Sequence, residues 1–335
     1  MPVPSQTACH SGCRPFWSRR RLLAALAVAF FLAPNVPAYM HARAMTTFAI
    51  GGGRSERPEE LSALGKARVL LTGVNLPRPV NDKTPADLGL EFETLEIRGG
   101  DGIDLQSWRI PCRDARAVVV MFHGYAASKS SLLPEALALH ELACETLLVD
   151  FRGSGGSTGN ETTLGVFEAD DVRKAFDFAR LLGEGLPLVL YGRSMGSAAI
   201  LRAIAMKGID PAAVIVECPF DRFLTTVKSR FSAMGLPAFP FAHLLVFWGG
   251  IQHGMNGFAH NPVDYAASVC CPALVLHGRH DRRVSVAEVE SILANLAGEK
   301  HLVLFPEAGH EPYLAVDAFR WNAAVDAFLA SVSAH

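Results

Sequence analysis

Ser194 is the residue best placed by its neighbours to do chemistry. It stands in Gly192-Arg193-Ser194-Met195-Gly196. The apolar run Leu188-Val189-Leu190-Tyr191 leads into this pentad, and Ala198-Ala199-Ile200-Leu201 leads out of it with helix-forming residues. A strand, a tight turn and a helix in succession crowd the serine, and glycine at 192 and 196 removes side chains that would collide there. Such a turn holds a hydroxyl exposed at a helix N-terminus, which favours developing negative charge. The chemistry available is nucleophilic attack on an electrophilic carbon. Outside this strand–turn–helix context, the same five residues would also fit a glycine–serine turn capping a helix.

A serine hydroxyl is a weak nucleophile without a base. Twelve histidines are present, so residue type alone selects none of them. His310 stands apart because it lies in Phe305-Pro306-Glu307-Ala308-Gly309-His310-Glu311, between the last strand-like run and the last helix-like run. Gly309 lets the chain turn there. The histidine needs an acid to fix its tautomer and stabilise its charged form. Asp281, in His277-Gly278-Arg279-His280-Asp281, follows the strand-like run 273–276, and Glu217 ends the run 213–216. Taken alone, Asp281 also reads as a solvated loop residue, so the residues leave both acids open.

The elements that must position these groups alternate along the chain. Strands are expected at 92–97, 105–110, 117–122, 146–149, 188–191, 213–216, 273–276 and 302–305. The first two form a hairpin around Asp101-Gly102. The run 117–122 is continuously apolar, as in strands covered on both faces. Helical stripes lie between: Leu164, Phe167, Val172, Ala175, Phe176, Ala179 and Leu182; Val286, Val289, Ile292, Leu293 and Leu296; Leu314, Ala318, Trp321, Val325, Phe328 and Val332. This alternation predicts an α/β fold, a mostly parallel eight-stranded sheet with helices on both faces. Sites in such sheets form beyond the carboxyl ends of the strands. Residues 220–262, with eight Phe and Trp residues, are too long for an ordinary connection and are read as an inserted cap. Most of those aromatics are expected in the core of the cap, and a minority in a substrate pocket.

His123-Gly124, the segment Asp150-Phe151-Arg152-Gly153-Ser154-Gly155-Gly156-Ser157, the Ser194 pentad, His277-Gly278 with Asp281, and Gly309-His310 together resemble the α/β-hydrolase superfamily, in its serine-aminopeptidase-like and lysophospholipase-like branch. The resemblance covers roughly residues 92–333. It implies a catalytic triad of Ser194, Asp281 and His310 in that chain order, which favours Asp281 over Glu217. It implies an oxyanion hole from the backbone N–H groups of Tyr125 and Met195. His123 and the segment from Asp150 are then structural. The implied activity is carboxylic ester hydrolysis through an acyl-enzyme. The alternatives are an aminopeptidase-like peptidase, in which Glu217 or Asp221 would meet the substrate amine, and acyl transfer to another alcohol. A non-catalytic binding protein on this fold is disfavoured because every catalytic position is filled.

Composition bounds the rest. The chain has 335 residues, half of them hydrophobic, and a formal charge of −2. Near-neutrality gives no reason to expect a nucleic-acid partner. No Cys/His cluster has structural-zinc spacing, and no cofactor or metal is expected. The expected partner is a small-molecule or lipid-like acyl substrate, with the oligomeric state left open. The cysteines, at 9, 13, 112, 144, 218, 270 and 271, are scattered and odd in number, so they read mainly as buried small residues, with one disulfide possible if the domain is exported. Arg19, Arg20 and Arg21 precede an apolar stretch from 22 to 40. Residues 1–44 are therefore a membrane anchor or a signal peptide. An uncleaved anchor, with the catalytic domain on the non-cytoplasmic side, is preferred over export after cleavage near Ala44. Residues 45–91, with Gly51-Gly52-Gly53 and four prolines, read as an irregular lead-in with one short helix at 61–71. Residues 92–335 form the hydrolase domain.

Overall fold

The computed structural model describes residues 19–332 except 54–61, 63, 66–68, 70–72, 100, 101 and 184. Cys9, Cys13, most of the helix expected over 61–71, and Asp101 of the expected turn lie outside the described residues.

All eight expected strands form. They are β1 (Glu93–Ile97), β2 (Leu105–Ile110), β3 (Ala117–Phe122), β4 (Cys144–Val149), β5 (Leu188–Arg193), β6 (Ala213–Glu217), β7 (Ala273–Gly278) and β8 (Lys300–Phe305). They make one sheet in the order β1-β2-β4-β3-β5-β6-β7-β8. β2 runs antiparallel to both β1 and β4, and all the remaining pairs are parallel. The apolar runs take the centre: β3, β4, β6 and β7 are buried along their whole length, while the more polar β1 and β8 take the edges. Strand alternation then divides the core in two. Val118, Val120 and Phe122 face one side, and Val119 and Met121 face the other.

Helices cover both faces. Against Val120 pack α3 (Glu168–Leu182), α4 (Met195–Lys207) and α7 (Val286–Asn295), after α1 (Arg19–Thr46) and α2 (Leu133–Glu141) in the chain. The face of Met121 is covered by α2 and by α8 (Ala318–Val332). The C-terminal stripe is interrupted where a single helix was expected: Asp317 leaves the helical conformation and its Oδ1 accepts the N–H of Arg320, which starts α8 afresh.

Between β6 and β7 lie two longer helices, α5 (Phe223–Ala233) and α6 (Phe241–His253), and a one-turn helix at Pro262–Tyr265. Phe220, Phe223 and Phe231 join the main core, but Phe239, Phe241, Phe247 and Phe258 are exposed. This differs from the expectation that most cap aromatics would be internal. Sequence counts apolar residues but does not say whether another surface will cover them.

The apolar N-terminal stretch is one helix, α1, continuing without a break to Thr46. The described side chains of its first half are exposed, whereas Asn35, Ala38, Ala42 and Thr46 are buried. That spacing of three or four residues is one helical face, and it packs on α6. Beyond α1, the Thr46 carbonyl accepts the N–H of Thr162, and Phe48 N–H donates to Asn160 O.

Among the described residues the five cysteines are free. Cys144 and Cys218 are buried, Cys112 and Cys271 partly so, and Cys270 is exposed.

Candidate active site

Ser194 takes φ 54° and ψ −108°, in the left-handed region that side chains rarely adopt. The strain is held by packing on either side. A Cβ at Gly192 would lie 2.6 Å from the Gly196 carbonyl carbon and 2.7 Å from Ile200 Cδ1, and one at Gly196 would strike the carbonyl of Phe122. Ser194 N–H donates to Glu217 O (2.8 Å), and Ser197 Oγ donates to the carbonyls of Gly192 (2.7 Å) and Glu217 (2.9 Å). The turn is therefore tied to the end of β6 as well as to its own strand.

His310 Nδ1 donates to Asp281 Oδ2 at 2.6 Å. Backbone contacts between their loops bring the two together. Gly278 sits where a side chain would press into the carbonyl of Ala308, His280 N–H donates to Ala308 O (2.9 Å), and Arg279 N–H donates to Phe305 O (2.9 Å). The other Asp281 oxygen accepts from the N–H groups of Arg283 (2.7 Å) and Val284 (3.0 Å). Burial opposes charge on Asp281, but these bonds and the imidazole outweigh it and hold its pKa below the usual carboxylate range.

Burial likewise opposes charging of His310. The neighbouring Cys218 sulfur and the Asp281 carboxylate outweigh it and raise the imidazole pKa to about 10. The contact with Cys218 is not legible in the sequence, where this cysteine reads as a small buried residue. Its one local signal is its position just past the end of β6. Among the described residues no hydrogen bond joins Ser194 Oγ to His310. Such bonds are often long before substrate binds.

Glu217, the rival acid, is placed elsewhere. It is buried beneath the sheet, where its Oε1 accepts from Trp321 Nε1 at 2.7 Å. Burial raises its pKa to about 7. Asp221 is paired with Arg222 at 2.8 Å.

The loop after β3 runs beside the serine, and a Cβ at Gly124 would be 3.8 Å from Ser194 Cβ. Tyr125 follows, its hydroxyl donating to Met45 O and its ring lying under the Arg230 guanidinium (5.1 Å). Met195 begins α4, so its N–H lies outside the helical hydrogen-bond ladder. His123 is wholly buried, with Nε2 accepting the N–H of Phe151 (3.1 Å) and Nδ1 within 2.8 Å of Gly124 O. Both ring nitrogens are occupied, which leaves neither to act as a base.

The segment from Asp150 is a structural knot. Asp150 accepts from Lys129 N–H (2.8 Å), Asn81 Nδ2 (2.8 Å) and Gly156 N–H (2.9 Å), and pairs with the buried Lys129 ammonium. Arg152 pairs with Asp171 at 2.6 Å. Among the described residues no cluster of His, Cys, Asp and Glu could hold a metal ion.

A strained serine after a central parallel strand, an acid and a histidine after the last two strands, and this strand order are the features of an α/β hydrolase. The chain has the α/β-hydrolase fold. Residues 113–240 match the family described as serine aminopeptidase, S33. The chain is 29% identical over 238 residues to the uncharacterised protein YfhR of Escherichia coli K12, covering 68% of this chain and 74% of that one. It is 27% identical over 247 residues to a monoacylglycerol lipase of Mycolicibacterium smegmatis, covering 64% of this chain and 88% of the lipase. Its fold is similar to that of an esterase of Pyrococcus furiosus, with a TM-score of 0.66 and 25% identity over 77% of this chain and 97% of the esterase. The chain is thus similar to hydrolases that include an esterase and a lipase.

Proposed function

We propose that this protein hydrolyses carboxylic esters through an acyl-enzyme formed on Ser194. The observation that carries the reading is the combination of a strained turn at the partly buried Ser194 with His310 already oriented by Asp281 at 2.6 Å. Ser194 Oγ attacks the ester carbonyl carbon while His310 Nε2 takes the hydroxyl proton. The tetrahedral oxyanion accepts hydrogen bonds from the N–H groups of Tyr125 and Met195. The C–O bond to the alcohol breaks, and the alcohol leaves with the proton from His310. Water then attacks the acyl-enzyme, giving a proton to His310; the bond from the acyl carbon to Ser194 Oγ breaks, His310 returns the proton to Oγ, and the acid departs.

An ester suits the site better than an N-terminal peptide bond. A peptidase needs a carboxylate for the substrate amine, and each candidate has one oxygen already taken: Glu217 by Trp321 beneath the sheet, Asp221 by Arg222. The relatives described as a monoacylglycerol lipase and an esterase point the same way. The test is a panel of acyl esters against aminoacyl amides, with and without an added acceptor alcohol. Release of free acid from esters is expected. Faster cleavage of aminoacyl amides, or transfer of the acyl group to the alcohol in place of release, would overturn the ester-hydrolase reading.

Two variants refine the mechanism. Asp281→Asn keeps the shape but removes the charge that fixes the tautomer, and should lower kcat about 10⁴-fold. Cys218→Ala removes a group that favours the imidazolium. The base works only when neutral, so a raised pKa shifts the rising limb of activity toward alkaline pH. The variant should move that limb to lower pH, seen in kcat/KM against pH, and an unmoved limb would exclude this role for Cys218.

A further inference from the structure

The apolar stretch of α1 from 22 to 40 is about 28 Å long, close to the roughly 30 Å hydrocarbon thickness of a bilayer. Of its described side chains, those from Leu22 to Ala33 are exposed, about 18 Å of helix, and burial begins at Pro34 and Asn35. That length alone is too short to span. A span must therefore include the part of α1 that packs on α6.

The α1–α6 contact has the character of helix packing inside a membrane. Small residues let the backbones approach: Ala38 and Ala42 are buried on α1, Gly249 and Gly250 on α6, and a Cβ at Gly249 would lie 4.0 Å from Ala42 Cβ. Hydrogen bonds tie polar groups in the seam, while Gln252 Oε1 is buried without a partner among the described residues. Trp248 Nε1 donates to Asn35 Oδ1 (3.0 Å), Asn35 Nδ2 donates to Phe31 O (2.7 Å), and Gln252 Nε2 donates to Tyr39 O (2.8 Å). Asn35 lies five residues, about 8 Å, inside the outer end of the apolar stretch. The bonded α6 residues must lie at similar depth.

The outward surface of α6 is apolar there. Phe247 is 45% exposed and Ile251 60%, and Phe239 before the helix is 75% exposed. An aromatic string links this surface to α1: the Phe247 and Trp248 rings are 5.2 Å apart, and those of Trp248 and Tyr39 5.5 Å. Trp and Tyr favour the boundary between headgroups and acyl chains.

We propose that α6 is sunk into the leaflet nearer the catalytic domain of the bilayer that α1 spans, with Phe239, Phe247 and Ile251 against its acyl chains. A lipid-like substrate then enters the cap from that leaflet and not from water. This rests on α1 being a retained span, and it deepens the ester-hydrolase reading by naming where the acyl group comes from. α1 also reaches the site itself. Its Met45 carbonyl accepts the Tyr125 hydroxyl, and Thr46 O accepts the N–H of Thr162, whose hydroxyl lies 3.5 Å from Met195 Sδ.

The test uses the full chain in phosphatidylcholine vesicles carrying lipids with a nitroxide on the acyl chain. Ile251→Trp is compared with Phe319→Trp, which places the reporter on a highly exposed residue of α8. The parent emission is subtracted, and Phe247→Trp serves if the first variant fails to fold by circular dichroism. Quenching several-fold stronger at 251 or 247 than at 319 is expected. Equal quenching would overturn the proposal, as would recovery of the vesicle-bound chain at a mass lacking residues 1–44. A second copy of the chain covering α6 would shield the reporter and give the equal-quenching result. The readout needs no turnover, so a chain that is inactive on esters but quenched at 251 sinks only the ester reading.

Discussion

Ser194→Ala should abolish labelling by a fluorophosphonate probe and lower kcat for a short acyl ester roughly 10⁵- to 10⁶-fold. The size follows from what remains. Without Oγ there is no covalent intermediate, and a water molecule must attack directly from a site built to hold a serine. Binding and the two backbone donors still favour the oxyanion, so the residual rate should exceed that of water alone by roughly 10³- to 10⁴-fold. His310→Ala should fall in the same range, and the double variant should be little worse than either single one, because the residues act as a unit. A folded Ser194→Ala protein that labels as strongly as the parent would place the nucleophile elsewhere. The substitution is also a clean one for structure. Alanine at this position keeps the backbone N–H bonded to Glu217 O, and it leaves Gly192 and Gly196 untouched.

The second large effect is on stability. Asp150→Ala should cost roughly 3–5 kcal/mol, because it strands the ammonium of Lys129 in the interior. Lys129 has Gln106 Oε1 at 3.0 Å and the Trp108 ring at 4.3 Å, neither of which replaces a carboxylate. Burial pulls Lys129 toward neutrality and opposes the charge of Asp150. Lys129, His123 and the donors around Asp150 nevertheless hold the carboxyl pKa below its ordinary value. The sign follows directly. The stability this group contributes is complete above the unfolded carboxyl pKa of about 3.9 and is lost as pH falls through the lower, folded value. Replacing both partners, Lys129→Met with Asp150→Leu, should cost less than the sum of the single changes, since no unpaired charge remains. The double variant will not be neutral, because Asn81 and Gly156 also lose their acceptor. Chemical denaturation of the parent, the two single variants and the double variant measures all four corners. Strict additivity would show that the pair is not the coupled unit described.

Much of the machinery was legible because it depends on local order. Strand, glycine, serine, glycine and helix must follow one another within a dozen residues for the turn at Ser194 to form, and the chain writes them in that order. The eight strands were readable for a similar reason, since central strands covered on both faces need unbroken apolar runs such as 117–122. Chain order also separated Asp281 from Glu217, although it could not show the cause. That cause is tertiary: β6 delivers Glu217 beneath the sheet to Trp321, while Gly278 allows the loops after β7 and β8 to touch and bring Asp281 to His310.

Other features were settled only when distant segments met. Cys218 reads as an ordinary buried thiol until the last loop sets His310 beside it. The Lys129–Asp150 pair joins residues 21 positions apart, and no local pattern marks either one as fully buried. The buried face of α1 is a run of small and amide residues that hydropathy cannot distinguish from its lipid-ready neighbours. Hydropathy sums composition over a window, whereas packing depends on which side of the helix another helix approaches. The sequence alone determined the order of residues that makes the turn at Ser194 and which residues could serve it. The tertiary structure decided which acid reaches His310 and what covers the cap, because both depend on contacts between segments far apart in the chain.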